Sequence, residues 1–397
     1  MSTAPQSIPG PVPAAPAIGM PLRLSAGRSL LYGCILMLVA SAPALLVPSW
    51  FRAVARIGDF ATFWSGGATV GTPALADPRL HSAWQHLHGF AIQPFLYLPA
   101  FAYLYVPYAA LADRSPLRAG LLVEELSMAA LFALAGFLVA RIYGFKPWFG
   151  LLAVFAWGPT LNAIEVGQNT AIALVLMLVA TVGLIRRKQV LLGLAVGLLL
   201  YKPTDALPFI MLLAVRRQWR ALAVVAAAAG GWYALSVAAT AGDVFWPIRY
   251  MQTIGAWSAP DFAGSAHKAF TLPTVLLALG FANWLAVGAG ALVLIAGLAL
   301  LARVGALEAA SFVGLVGLAA STHAWPYDAA LLIPSIAYAM TRVSEPWRTR
   351  VIVATYLIGS FGLLAQRFDP LAIVCIGGAA WWIGSGYRNE FVVSRGR

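Results

Sequence analysis

Long uninterrupted apolar blocks constrain this chain more than any other feature of the sequence. Four stretches are nearly free of charge: Leu30–Val47, Ala129–Ala140, Thr170–Ile185 and Ala221–Ala241. Helical stretches of about 18 or more apolar residues are long enough to cross the hydrocarbon core of a bilayer. The blocks are rich in Leu, Ala and Gly and lack the alternation that is typical of a membrane barrel. They predict an all-α, polytopic membrane protein.

Composition and charge agree with this class. Only 10% of the 397 residues are charged and 61% are hydrophobic, whereas soluble domains carry about 25% charged residues. The net charge is +12, but the basic residues lie in clusters at the ends of the apolar blocks. We interpret them as topology determinants that face the anionic cytoplasmic leaflet. Because no basic motif interleaved with aromatic residues is present, we expect no nucleic-acid partner.

The basic clusters also predict a topology. If all of them face the cytoplasm, each segment between two clusters crosses an even number of times, and both termini are cytoplasmic. Segment 190–215 has clusters at both ends and Pro203 in its middle, where proline breaks a helix. We therefore predict two short helices, 190–201 and 204–215, that form a hairpin with Lys202 at its outer tip. The predicted crossings, about twelve, are 30–47, 118–140, 149–161, 170–185, the two hairpin helices, 221–240, 284–302, 309–321, 329–341, 351–365 and 371–386.

The domain organisation follows from the same map. We predict that residues 1–28 form a disordered cytoplasmic tail, 29–387 a single membrane domain and 388–397 a second cytoplasmic tail. The first apolar run lacks a convincing cleavage site, so we expect an uncleaved span in the plasma (inner) membrane. The loop 48–117 is placed outside, and its apolar part 94–111 is predicted to form interfacial or re-entrant helices because two prolines interrupt it.

Four polar islands project to the outer side in this topology. They contain Asp59 beside aromatic residues, then Glu165, Gln168 and Asn169, then Lys202 at the hairpin tip, and finally His323 and Tyr327 followed by Asp328. Each has a plainer interpretation: a solvated carboxylate, a helix cap at Asn169 or Thr170, a snorkelling lysine, or an interfacial loop. Together they suit transfer from a phosphate-bearing lipid, with a carboxylate acting on a hydroxyl and cations on the leaving phosphate. Lys268, in loop 242–270, is a further candidate for the lipid phosphate.

Several of these motifs resemble glycosyltransferase family 87. The resemblance rests on Asp59-Phe-x-x-Phe-Trp-x-x-Gly67, Tyr97-Leu-Pro99, Glu165-Val-Gly167-Gln168-Asn169, Tyr201-Lys202-Pro203 with Arg216-Arg217-Gln-Trp-Arg220, and His323 followed by Tyr327-Asp328. It implies multi-span enzymes of the GT-C architecture that use a polyprenyl-phosphate sugar, usually mannose, as donor. It further implies that Asp59 is the general base on the acceptor hydroxyl and that Gln168 and Asn169 face the active-site cavity.

The same resemblance implies that Lys202 contacts the donor phosphate and that His323 and Tyr327 line the cavity. Two motifs depart from the family pattern. Tyr97-Leu98-Pro99 replaces the usual Tyr-Pro-Pro, and Leu75-Ala76-Asp77 replaces Leu-Tyr-Asp. The resemblance also implies the expected partners, which are the polyprenyl-phosphate sugar, a lipid or glycan acceptor, and membrane lipids.

Two other functional hypotheses are also consistent with the sequence. A transporter or flippase of a polar lipid or glycolipid would use the same polar residues to line a path, and a structural subunit would need none of them. His81, His86 and His88 crowd one stretch, but their spacing fits no compact helical ligand pair. We therefore expect no metal and no cofactor other than the lipid-linked sugar as co-substrate.

Overall fold

The computed structural model describes residues 31–36, 38, 59–88, 94–114, 117–265, 270–342, 345–362 and 371–383. Within these ranges the chain is helical and contains no strand, so the predicted all-α class is confirmed. Both terminal tails, the start of the outer loop and Lys268 lie outside the described residues.

Sixteen α-helices are bounded by residues within the described ranges, after a helical stretch at 31–36. Their bounds are α1 Phe60–Thr69, α2 Pro78–Leu87, α3 Val106–Arg114, α4 Leu117–Tyr143, α5 Pro147–Phe155, α6 Gly158–Glu165, α7 Thr170–Ile185, α8 Gln189–Leu199, α9 Pro203–Val215, α10 Trp219–Ala239, α11 Trp246–Ser265, α12 Leu272–Ala278, α13 Asn283–Leu301, α14 Ala306–Ala320, α15 Ile333–Arg342 and α16 Glu345–Gly362. Short 3-10 helices cover Pro73–Leu75, Pro99–Tyr105 and Pro326–Leu332, and a π-helical turn covers Ile373–Gly377.

Within the described ranges, three helices are long and apolar enough to cross a membrane by themselves. They are Ala119–Tyr143 within α4, all of α10 and all of α13. Six other apolar helices have 10 to 17 residues, which at about 1.5 Å per residue reach less than the roughly 30 Å of a hydrocarbon core. The structure thus supports a membrane protein, and the number of about twelve crossings stays a prediction.

The predicted hairpin of two short helices is present. α8 and α9 are separated by three residues that include Lys202. The Gln189 side chain, at the start of α8, donates a 2.5 Å hydrogen bond to the side chain of Gln218, which lies beyond the end of α9. Because the start of the first helix meets the end of the second, the two helices are antiparallel, and Lys202 lies at the turn.

Several basic clusters gather at the end of the helices opposite Lys202. The guanidinium of Arg216 donates to the backbone carbonyls of Leu301 and Val304, at 2.8 and 2.9 Å. These contacts bring the cluster after α9 to the turn that contains Arg303. This agrees with the assumption that the clusters share one side, although it does not identify that side as the cytoplasm.

One predicted crossing is divided. The stretch 149–161 contains the end of α5 and the start of α6, with a break before Gly158-Pro159. Proline fits the first turn of a helix but not its interior, so α6 begins here. α5 packs closely on α4, where an added Cβ at Gly150 would lie 2.2 Å from the carbonyl oxygen of Gly136. Small residues allow such close approach between membrane helices.

The described part of the loop 48–117 packs on the helical bundle. It contains α1, α2, the 3-10 helix Pro99–Tyr105 and α3. The backbone N–H of Ala100 donates 3.1 Å to the hydroxyl of Ser236 on α10, and Phe101 and Tyr105 are almost completely buried. The broken apolar part 94–111 therefore forms short helices that lie against a long apolar helix. An interfacial or re-entrant position of these helices stays a prediction.

Candidate functional site

Asp59 immediately precedes α1, and its side chain does not cap that helix. The carboxylate instead accepts a 2.5 Å hydrogen bond from Nε2 of Gln168, and its backbone N–H donates 2.9 Å to the carbonyl of Val166. Asp59 is half-buried, while Phe60 and Phe63 beside it are fully buried. The aromatic residues of the motif thus anchor α1 in the core and hold the carboxylate at its end.

A tight turn between α6 and α7 presents Gln168 and Asn169. The turn depends on Gly167, whose φ is +67°, a conformation that other residues rarely adopt. A Cβ at this position would also lie 2.8 Å from Cβ of Phe60. The glycine therefore lets the turn approach α1 closely enough for Gln168 to reach Asp59.

Tyr97 connects this turn to the rest of the site. Its hydroxyl donates 3.2 Å to Oε1 of Gln168, which fixes the amide so that its NH₂ group faces Asp59. Burial raises the pKa of Tyr97, Lys202 opposes the shift, and Asp328 and Asp59 add to it. The phenol therefore stays protonated and remains a donor. These same interactions place Tyr97 within electrostatic range of Asp59, Lys202 and Asp328.

Asn169 occupies the N-cap position of α7, but its side chain does not cap the helix. Its Oδ1 accepts a 3.2 Å hydrogen bond from the hydroxyl of Tyr201, and the Tyr201 ring is near-parallel to that of Tyr97, with centroids 6.1 Å apart. Nδ2 of Asn169 is buried and has no acceptor within 3.5 Å among the described residues, although the Asn169 side chain is close enough to the Tyr97 hydroxyl to lower its pKa slightly. An unpaired buried donor is costly unless something else satisfies it, so this amide is a candidate ligand contact.

Lys202 is held by two carboxylates. Its ammonium group forms a short ion pair with Asp328 and a second one, at 3.4 Å, with Asp205 three residues later. The side chains of all three are 12% exposed or less. Burial alone would lower the pKa of Lys202, but the charges of Asp205 and Asp328 raise it well above its usual value. Lys202 is thus a fixed, charged group rather than a snorkelling side chain.

The segment after α14 completes this part of the site. Asp328 is buried and also accepts a 2.9 Å hydrogen bond from the backbone N–H of Trp325. His323 is half-buried, its backbone N–H bonds to the hydroxyl of Ser321 at 3.1 Å, and it interacts electrostatically with Asp205. Tyr327 is half-buried and packs against the main core. The structure therefore brings His323 close to Lys202, Asp205 and Asp328, which together we call the Lys202 group.

Glu165 lies at the end of α6, apart from these hydrogen bonds. Burial, and then the charge of Glu125 on α4, raise the pKa of Glu165. Its electrostatic neighbour is thus another carboxylate and not Asp59 or Lys202. Among the described residues no group of three or more His, Cys, Asp or Glu side chains could hold a metal ion.

Sequence reasoning did not select three residues that the structure places in the site: Tyr97, Tyr201 and Asp205. Tyr97 and Tyr201 were quoted within motifs but were given no role, and Asp328 was a candidate without a named partner. Asp205 had a usable signal, because a carboxylate three residues after a lysine in a helical stretch faces it. Asp328 is distant in sequence from Lys202, so their pairing had no local signal.

An apolar pocket opens beside the Lys202 group. It encloses about 280 Å³, part of it open to solvent, and is lined by α9 and α14 together with Met177 and Leu331. Asp205 and Ser321 contribute polar atoms to its wall, while Pro208, Gly314 and Gly317 are apolar or small. The pocket therefore joins a charged group to apolar helices.

These features define a helical membrane protein with a hydrogen-bonded carboxylate and a charged lysine at one end of its helices. The family model of glycosyltransferase family 87 matches residues 95–322, more than half of the chain, and the protein belongs to this family of membrane glycosyltransferases. The matched segment includes Gln168, Asn169 and Lys202, begins after Asp59 and ends before His323. No curated protein and no solved structure matches the chain.

Proposed function

We propose that this glycosyltransferase transfers a hexose, with mannose as the first choice, from a polyprenyl-phosphate donor to a hydroxyl of a lipid or glycan acceptor. Asp59 acts as general base. The observation that carries this proposal is the chain of hydrogen bonds from Tyr97 through Gln168 to the Asp59 carboxylate. The Gln168 amide holds the carboxylate in position, and the Tyr97 hydroxyl holds the amide.

The proposed reaction is a single displacement. Asp59 takes the proton from the acceptor hydroxyl, whose oxygen attacks the anomeric carbon of the donor sugar. The bond from this carbon to the phosphate oxygen breaks, and polyprenyl phosphate leaves with the electron pair. The anomeric configuration is inverted, because one carboxylate activates the nucleophile and no covalent sugar intermediate forms.

Lys202 is suited to the phosphate of the donor. An ammonium group has three N–H donors; one is donated to Asp328, and the group also forms an ion pair with Asp205 at 3.4 Å. A remaining N–H would contact the leaving phosphate, with the buried Nδ2 of Asn169 as a second donor. The apolar pocket lined by α9 and α14 begins at Asp205 and suits the isoprenoid chain. Stabilising charge that develops on the leaving group is a major source of catalysis.

We place this reaction on the extracytoplasmic face of the plasma membrane, with both termini in the cytoplasm. The support is the separation of two ends of the molecule. Lys202 lies at the turn of the hairpin, whereas Arg216 and its neighbours lie at the other end of the same two helices. Basic clusters favour the cytoplasmic side, so the polar site faces away from it.

The test is transfer by purified protein in nanodiscs, with polyprenyl-phosphate mannose as donor and an amphiphilic mannoside as acceptor. Wild type is compared with Asp59→Asn and with the control Asp77→Asn, since Asp77 caps α2 through backbone N–H groups that asparagine also satisfies. We expect Asp59→Asn to lose about 10²- to 10⁴-fold in rate and Asp77→Asn to match wild type. Normal turnover by folded Asp59→Asn would remove the base assignment. Uptake of the sugar lipid by wild type in sealed vesicles, without transfer in nanodiscs, would favour a transporter or flippase.

A further inference from the structure

Two turns of the bundle share an unusual backbone conformation. α7 ends at the turn Arg186-Arg187-Lys188, and α9 ends at the turn Arg216-Arg217-Gln218. The middle arginine of each turn has a φ of +54°, a left-handed conformation that residues other than glycine rarely adopt. In each turn the next residue donates its backbone N–H to the carbonyl five residues earlier, at 2.8 Å in the first turn and 2.9 Å in the second. Both are Schellman turns of the same geometry.

The two left-handed arginines occupy the position that glycine usually takes in such a turn. The Cβ of an L-residue makes this conformation costly, so both positions carry strain. A topology signal needs only positive charge near the turn, and Arg186 and Arg216 already supply it. Residues held in rare backbone conformations cluster at functional sites. The charges of Arg187 and Arg217 therefore point to a role beyond topology.

The two turns lie side by side. The Gln189 side chain, two residues after Arg187, donates its 2.5 Å hydrogen bond to the side chain of Gln218, which directly follows Arg217. Nε2 of Gln218 in turn donates 3.2 Å to the carbonyl of Arg216. Because these bonds connect the turns at residues next to the left-handed ones, Arg187 and Arg217 belong to one surface of the molecule.

This surface is strongly positive and has no matching negative charge. We define the basic surface by its five exposed cations, Arg186, Arg187, Lys188, Arg217 and Arg220. No carboxylate among the described residues forms an ion pair with any of them. Like charges held close together repel, and a guanidinium matches the geometry of a phosphate through two parallel hydrogen bonds. An anion with phosphate chemistry would therefore stabilise the basic surface.

Exposed apolar residues next to the cations select an amphiphile. Val190 and Trp219, each in the first turn of the helix that follows a basic turn, are 62% and 65% exposed. Leu194, one turn further along α8, is 46% exposed. Tryptophan favours the boundary between lipid headgroups and acyl chains. A free phosphate would use only the cations, whereas a phospholipid would place its phosphate on them and its acyl chains along these apolar residues.

We propose that the basic surface binds the phosphate of an anionic phospholipid, with Arg187 and Arg217 as its paired ligands and Trp219 against the acyl chains. Binding is an association of charges and apolar surface, with no covalent step. The bound phosphate bridges the ends of α7 and α9 and offsets the repulsion between the two turns. The site lies at the end of the helices opposite Lys202 and is independent of the proposed transfer reaction.

The first experiment measures lipid binding without turnover. Purified protein in a non-ionic detergent is titrated with dioleoyl phosphatidylglycerol, dioleoyl phosphatidylcholine or inorganic phosphate, and native mass spectrometry and Tm report binding. We expect phosphatidylglycerol to raise Tm with its concentration, and the other two to bind about tenfold more weakly or less. Arg187→Gln and Arg217→Gln should each raise the Kd for phosphatidylglycerol about tenfold, the scale of one hydrogen bond to a charged group.

Arg79→Gln is the matched control, because Arg79 is exposed on α2 and the same charge is removed away from the basic surface. Its Kd for phosphatidylglycerol should equal that of wild type. An equal loss in Arg79→Gln, or equal binding of phosphatidylglycerol and phosphatidylcholine by wild type, would overturn the proposal. A Tm shift by inorganic phosphate as large as that by phosphatidylglycerol would overturn the assignment to a lipid.

A second pair of variants separates strain from binding. Arg187→Gly and Arg217→Gly remove the charge and also relieve the left-handed strain, whereas the glutamine variants keep it. Without lipid we expect each glycine variant to melt above the matching glutamine variant, and both kinds to lose the response to phosphatidylglycerol. A glycine variant that retained the full wild-type response would contradict the proposal, since it would show that the arginine is not a ligand.

Discussion

The Asp59 side and the Lys202 side of the site are held in place by different chemistry. The Asp59 carboxylate accepts a hydrogen bond from the amide of Gln168, and the amide oxygen accepts one from the hydroxyl of Tyr97. The Lys202 ammonium group forms ion pairs with the carboxylates of Asp205 and Asp328. On one side, hydrogen bonds through an amide and a phenol lead to a carboxylate, and on the other an ammonium ion lies between two carboxylates.

This difference assigns different tasks to the two sides. A carboxylate held in one orientation by a hydrogen-bonded amide can be presented to an acceptor hydroxyl, as a general base requires. An ammonium ion between two carboxylates stays charged and immobile, as an electrostatic contact to a leaving group requires. Tyr97 interacts electrostatically with Asp59 on one side and with Lys202 and Asp328 on the other.

Removing the charge of Lys202 should give the largest loss of both stability and transfer rate among the variants of the Lys202 side. Lys202→Met would leave Asp205 and Asp328 buried without their cation, and breaking such a pair costs roughly 3–5 kcal/mol of folding free energy. We expect a lower Tm and a transfer rate reduced by about 10²-fold or more. Thermal unfolding in nanodiscs and steady-state kinetics measure the two effects.

Lys202→Arg and the double variant Lys202→Met/Asp328→Asn separate stability from catalysis. Arginine keeps the charge and should retain most of the stability. The double variant removes one unpaired carboxylate and should recover part of the lost Tm while remaining slow. If the double variant regained both stability and turnover, the role of Lys202 would be structural only.

Disrupting the Asp59 side through its neighbour should have a smaller effect. Gln168→Ala removes the hydrogen bond to Asp59 and the acceptor for Tyr97 but leaves the base itself. We expect kcat to fall about tenfold, the scale of one hydrogen bond to a charged group, with the donor KM unchanged. Gln189→Ala, which breaks a hydrogen bond at the opposite end, is the matched control. Equal losses in both variants would mean that Gln168 acts only through general stability.

Single cysteines test whether both sides face the same compartment. Thr72 follows α1, Thr204 lies two residues after Lys202, and Lys188 lies at the opposite end of the hairpin; all three are exposed. In a cysteine-free background we expect an impermeant maleimide to label Thr72→Cys and Thr204→Cys from outside, and Lys188→Cys only after permeabilisation. Activity of Thr72→Cys and Lys188→Cys should stay within about twofold, as surface substitutions are usually near neutral, whereas Thr204 lines the apolar pocket and is used for labelling alone. Labelling of Thr204→Cys only from inside would refute the outward hairpin.

The sequence was most informative where a local pattern carried the signal. Apolar blocks predicted the helical class, and a proline between two basic clusters predicted the α8–α9 hairpin, because proline acts within its own segment. Gln168 and Lys202 were selected in the same way, as polar residues between apolar runs. Tyr97 and Asp328 received no role, since their partners lie far away in sequence and only folding brings them together.

Chemical rescue of Asp59→Ala tests the central claim most directly, that Asp59 is a base for the acceptor and nothing else. Azide is a nucleophile that carries no proton, so its attack on the anomeric carbon needs no base and still expels polyprenyl phosphate. We predict that azide restores turnover of polyprenyl-phosphate mannose by Asp59→Ala and yields mannosyl azide of inverted configuration, while Lys202→Met is not rescued. An Asp59→Ala protein that is folded, binds the donor and stays inactive at all azide concentrations would contradict the account.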